Sequence, residues 1–159
     1  MPGDASLRAG QYYAHPRNVF WKLLCELLGA APGLPYADRV RLLKARRIAL
    51  WDVLASCARE GSLDVAIDEA SAVANDFPAF FKTHRSIAQV LFNGAKAEAC
   101  FRRHVMPVLA ADGPSPHGFA RLPSTSPAHA AMPYALKRSA WRAALEPCLP
   151  EPTARPRRS

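Results

Sequence analysis

Short apolar runs alternating with amphipathic helical patterns constrain this chain more than any other feature. IALWDVLA at 48–55 is bounded by charge, and SIAQVLFNG at 86–94 ends in an Asn-Gly turn. Both are too short for ordinary helices and read as buried strands. A third run, in FARL at 119–122, follows AADGPSPHG, which is turn chemistry throughout. Helical patterns lie around them. Phe20, Trp21, Leu23, Leu24, Leu27 and Leu28 recur at helical spacing, with Asn18 as N-cap and Gly29 as the stop. YADRVRLLKARR is a second, basic helix; DFPAFFKTH starts a short one near Asp76; AKAEACFRRHVMPVL follows the second strand directly; PYALKRSAWRAAL is the last. Strands alternating with helices predict an α/β domain with a mostly parallel sheet. In such sheets ligands bind beyond the carboxyl ends of the strands.

At 159 residues the chain suits one domain with a real core. That domain is expected over 1–147, because after Pro147 the composition turns to Pro, Arg and Ser, predicting a disordered basic tail over 148–159. Twenty-one Lys and Arg against thirteen Asp and Glu leave a net charge of +8. Such a surface attracts polyanions, of which nucleic acid is the commonest. Cys25, Cys57, Cys100 and Cys148 form no CxxC pair, which argues against a zinc ribbon or clustered iron–sulfur site. Cys25 and Cys100 sit in apolar helical patterns and read as reduced, buried thiols. No apolar run reaches eighteen residues and no secretion signal is visible, so a cytoplasmic protein without a membrane span is expected. GxxxxGK[ST], GxGxxG and HExxH are absent, which removes the usual support for nucleotide hydrolysis, dinucleotide redox chemistry and zinc proteolysis.

Four stretches carry candidate chemistry. QYYAHPRNVFW at 11–21 crowds Tyr12, Tyr13, His15, Pro16 and Asn18 against the start of the first long helix. By itself it also reads as a rigid helix entry, with Pro16 setting the bend and Asn18 capping. Asn93 ends a strand, where its amide would offer a donor pair and an acceptor to a base edge; a turn asparagine before glycine is the competing reading. LPSTSPA places Ser124, Thr125, Ser126 and Pro127 on a stiff loop able to hold phosphate oxygens, or serves as an ordinary capped loop. Asp52 is suited to contacting phosphate or orienting a partner side chain, with a salt-bridged loop as the competing reading. His15, His84, His104, His117 and His129 are the general acid–base candidates, and no triad or paired-carboxylate spacing joins them.

Taken in order, GQYYAHPRNVFWKLL, IALWDVLASCAREGSLD, VLFNGAKA and LPSTSPAHA resemble the hypoxanthine-DNA glycosylase (DNA-deoxyinosine glycosylase) family of the uracil-DNA glycosylase superfamily, over roughly residues 1–145. The resemblance implies a three-layer α/β/α sandwich around a short central parallel sheet. It implies a monofunctional enzyme of base excision repair that cuts the N-glycosidic bond of a deaminated base flipped out of DNA: hypoxanthine, with uracil or xanthine as further substrates. By the same resemblance Tyr13 stacks on the flipped base with His15 beside it, Asn18 is catalytic, and Asn93 reads the base edge. LPSTSPAHA, with Ser124, Thr125, Ser126, Pro127 and His129, grips the DNA backbone. No cofactor or metal is implied, the partner is DNA containing deaminated bases, and a nucleoid-associated monomer is the default.

The family carries a strand and a glycine-serine turn immediately before the residues that match here, and related mismatch-specific uracil glycosylases read Asn-Pro-Gly where this sequence reads MPG. The expectation is therefore a domain lacking its first, interior strand, with Met1 an internal methionine of a longer natural chain. The alternative function is a non-catalytic nucleic-acid-binding remnant of the family.

Overall fold

A computed structural model describes residues 2–31, 33–58, 68–112 and 116–150. Seven helices are described: α1 (Asp4–Ala9), α2 (Phe20–Leu27), α3 (Tyr36–Ala45), α4 (Phe77–Thr83), α5 (Ala95–His104), α6 (Met106–Asp112) and α7 (Tyr134–Leu145). The strands are β1 (Leu54–Ser56), β2 (Val73–Ala74), β3 (Gln89–Asn93) and β4 (Gly118–Leu122). β3 and β4 pair in parallel, from Gln89 opposite Gly118 to Asn93 opposite Leu122, and α5 and α6 lie in the connection between them.

Side chains alternate across that pair, as a pleated strand requires, and each face meets its own core. Leu91 and Leu122 face the cluster of Phe20, Trp21, Leu23, Leu24, Leu43, Trp141 and Leu145, which belongs to α2, α3 and α7. Val90, Phe92 and Phe119 face Phe77, Phe81, Phe101, Val105 and Leu109, which belongs to α4, α5 and α6. Two helical layers thus cover one parallel pair. Phe101 is fully buried, with ring centroids 5.0 Å from Phe77 and 5.1 Å from Phe92, so its removal to Ala would cost on the order of 3–5 kcal/mol.

Local chemistry explains where elements stop. The N-cap of α2 is Val19, with no side-chain capping bond, so the expected Asn18 cap lies one residue early; Asn18 Oδ1 instead accepts the N–H of the first helical residue, Phe20, at 3.0 Å. Gly29 takes φ 69 after α2, the left-handed conformation glycine supplies at helix ends. Asp76 caps α4 by accepting from the Ala79 N–H. The long helix expected over 95–109 is two: Pro107 has no N–H to continue the ladder, and Val108 turns back to the Val105 carbonyl at 3.1 Å.

Two expectations need correction. IALWDVLA does not add a strand to the parallel sheet: only Leu54–Ser56 is extended in a ladder, and its partner is Val73–Ala74, antiparallel. Ile48 and Leu50 bury themselves against the α2 core without one; apolar content marks burial, whereas a strand also needs a neighbour. The second concerns the tail. Glu146–Cys148 form a 3-10 turn and Leu149 packs on the α2/α7 core, so the packed chain runs past 147. The remainder of the expected tail, 151–159, and most of SCAREGSLD lie outside the described residues. Cys25 and Cys100 are buried and outside any disulfide, as their patterns predict. Among the described residues no helix is long and apolar enough to cross a membrane.

Candidate active site at the carboxyl end of the parallel pair

Beyond the ends of β3 and β4 the chain turns twice. Gly94 opens α5 with φ 99, and a Cβ there would stand 3.0 Å from Ser124 Cβ. The close approach brings the LPSTSP loop onto the end of β3. Asn93 Nδ2 donates to Thr125 Oγ1 at 2.8 Å, and the Thr125 N–H donates to Asn93 Oδ1 at 2.9 Å. The rest of the loop is pinned in turn. Trp141 Nε1 donates to the Pro123 carbonyl at 2.9 Å, Ser124 Oγ accepts the Ser126 N–H, and Ser126 Oγ accepts the Ala128 N–H. Lys137, 4% exposed, donates its Nζ to the His129 carbonyl at 2.7 Å.

The QYYAHPRN segment approaches from the other side. Tyr13 has φ 52, a conformation costly for a bulky residue. Its neighbours hold it there: the Tyr12 N–H donates to Tyr36 Oη, Trp21 Nε1 donates to the Tyr12 carbonyl at 2.8 Å, and the Ala14 N–H donates to Oγ of buried Ser6. The outcome is a flat stack of Tyr13 on Phe20, centroids 3.9 Å apart and planes 23° apart. His15 Nδ1 accepts the Arg17 N–H, leaving Nε2 as the ring nitrogen able to donate. The His15 carbonyl accepts the Asn18 N–H at 2.9 Å. Asn18 thus spends its backbone N–H and one carbonyl lone pair locally, and its two amide protons have no partner among the described residues. Tyr12 is fixed as a neutral phenol. Burial first, then the Asp52 carboxylate that its hydroxyl meets, pushes its pKa up to about 12.

Tyr13, His15, Asn18, Asn93, Ser124, Ser126, Pro127 and His129 all line one cavity of about 1460 Å³. Thr125 does not. It is 1% exposed, and its hydroxyl works inside the loop rather than at the surface, so the expected contact of this side chain with DNA is corrected to an internal one. Asp52 takes the orienting option, on Tyr12. Three features were not visible as site components in the sequence. Phe20 reads as core yet backs Tyr13; Lys137 reads as a solvated helix charge yet is buried under the loop; and Arg8, Arg17, Arg47 and Lys96 bring the excess positive charge to the same cavity. Among the described residues no group of His, Cys, Asp and Glu is arranged to hold a metal.

Two curated proteins named hypoxanthine DNA glycosylase align with this chain. The one from Methanosarcina barkeri (strain Fusaro) is 39% identical over 98 residues, and the one from Methanosarcina acetivorans is 37% identical over 98. Each alignment covers 61% of this chain and 61% of the relative, so the chain spans about three fifths of the length of the curated relatives it matches. The solution NMR structure of a candidate uracil DNA glycosylase from Methanosarcina acetivorans matches with a TM-score of 0.73 and 32% identity, over 92% of this chain and 85% of that one. No family model matches the chain. A likeness of this identity across nearly the whole fold places the chain in the uracil-DNA glycosylase superfamily, and within it the chain is similar to proteins named hypoxanthine DNA glycosylase.

Proposed function

We propose that the chain is a monofunctional DNA glycosylase that hydrolyses the N-glycosidic bond of a deaminated base flipped out of DNA, hypoxanthine foremost and uracil or xanthine as further substrates, in base excision repair. The observation that carries this reading is the convergence of an aromatic stack, an amide with free protons and a strand-end amide on one cavity rimmed by basic residues. Extruding a base costs a few kcal/mol, least where pairing is already weak. Stacking on Tyr13, backed by Phe20, returns on the order of 1–3 kcal/mol and tolerates purine or pyrimidine. Asn93 has one amide proton left after Thr125, which suits a carbonyl on the base edge, and His15 supplies a donor beside it.

As the bond lengthens, charge builds up on the leaving base and a cation on the sugar. Donors already in place at the base cost no reorganisation at that moment. Asn18 orients the attacking water with its free amide, a task of positioning that needs no full proton transfer. The loop at Ser124, Ser126, Pro127 and His129, with Arg8, Arg17 and Arg47, takes the phosphates, acting as a monomer on nucleoid DNA. The test is Asn18→Ala on a labelled duplex containing one deoxyinosine or one deoxyuridine. Wild-type excision, a loss of at least about a hundredfold in the variant, and DNA affinity within about threefold are expected. A wild-type chain that binds the duplex and releases no base would replace the enzyme with a non-catalytic binder.

A further inference from the structure

We infer that Thr125 is a positioning residue that ties the two asparagines into one frame, so that the loop facing the DNA backbone sets the place of the Asn18 amide. Its catalytic consequence rests on the glycosylase reading; the mechanical link does not. The pairing with Asn93 has a single sense, because a backbone N–H can only donate: Oδ1 must face it, and Nδ2 must then face Oγ1. Closing two bonds onto the N–H and hydroxyl of one residue uses the edge of an amide where donor and acceptor stand side by side. What remains on Asn93 is one N–H and one lone pair that diverge. Asn93 therefore cannot grip a base through two hydrogen bonds while it grips Thr125.

The other half of the link leaves from the same residue. The Thr125 carbonyl accepts the Val19 N–H at 3.2 Å, one of the donors that every helix start leaves without an intrahelical partner. Val19 is the residue before α2 and adjoins Asn18, whose own Oδ1 is fixed on Phe20. Thr125 is 1% exposed and branched at Cβ, so its rotamer is stiff. A continuous path runs from β3, through the loop, to the segment that presents Asn18. Its members are far apart in sequence, and both bonds to Asn93 come from Thr125, one from its side-chain Oγ1 and one from its backbone N–H.

The experiment compares wild type with Thr125→Val, which keeps the shape and removes Oγ1, and Thr125→Ser, which keeps the acceptor. The first readout is amide hydrogen exchange, which needs no activity. In Thr125→Val the Val19 amide should exchange about tenfold faster, while Leu24 in α2 stays within about twofold. The second is single-turnover excision from a deoxyinosine duplex: a fall of about tenfold or more in Thr125→Val with duplex Kd within about threefold, restored in Thr125→Ser. Unchanged Val19 exchange, or a uniform rise throughout α2, overturns the link. Faster Val19 exchange with an unchanged excision rate overturns the positioning role. If the wild type excises nothing, the glycosylase reading falls and the exchange comparison alone decides the link.

Discussion

Gly94→Ala tests whether the end of β3 and the LPSTSP loop are locked in the geometry described. The residue has φ 99 and ψ 168, a region open almost only to glycine, where an L side chain costs about 1–3 kcal/mol. The added Cβ would meet Ser124 Cβ at 3.0 Å and Ser124 Cα at 3.7 Å. These are atoms fixed to the loop backbone, so relief requires the loop to move, at a further cost of about 1–3 kcal/mol. A less flexible unfolded chain offsets about 0.5–1 kcal/mol. The net loss is about 1–5 kcal/mol, or a melting midpoint lowered by roughly 2–20 °C for a chain of this length. Urea and thermal unfolding measure it, with Gly118→Ala as the control. A Cβ at Gly118 meets the end of the flexible Gln89 side chain at 3.2 Å, with no positive φ, so the control should lose less than about 1 kcal/mol. A Gly94→Ala loss below about 0.5 kcal/mol, or equal losses in the two variants, would refute the lock.

Three further outcomes are expected. Trp141→Phe takes the indole donor from the Pro123 carbonyl and should destabilise by about 2–3 kcal/mol in urea titrations, the cost of an orphaned acceptor plus lost packing. Tyr13→Leu should weaken binding to a deoxyinosine duplex by about 10- to 100-fold while leaving affinity for an undamaged duplex unchanged, because in the proposed reaction the ring, stacked on Phe20, meets only a flipped base. Stability should fall as pH rises from 10 towards 12. Tyr12 and Tyr134, each held up to about 12 chiefly by burial, stay protonated in the folded state after the unfolded chain has begun to lose those protons. Stability constant across that range by chemical denaturation would contradict both.

The sequence is most legible where one signal dominates. Periodicity marks α2, the Asn-Gly pair ends β3, and Asp76 caps α4, all within a residue or two. Tyr13, Asn18, Asn93, Ser124 and Ser126 line one cavity, each being a local turn feature placed at a strand end or helix start. Residues 48–53 are less legible because burial and strand pairing give the same apolar signature. Thr125 and its serine neighbours look alike in sequence; only the register of the loop against Asn93 decides that the threonine turns inward and the serines face the cavity. Lys137 is hidden for the same reason. A lysine on a helix reads as solvated until the turn above it supplies a carbonyl.

The bond between Val19 and Thr125 joins residues about a hundred positions apart, and this sets an order of events during synthesis. At about 5–20 residues per second, the segment bearing Asn18 leaves the ribosome roughly 5–20 s before the loop that holds it, and Trp141, which pins that loop, comes later still. The nascent chain therefore carries Asn18 early but without the loop that fixes the residue beside it. The cavity is complete only when nearly the whole domain has emerged, so a partly made copy has no assembled pocket.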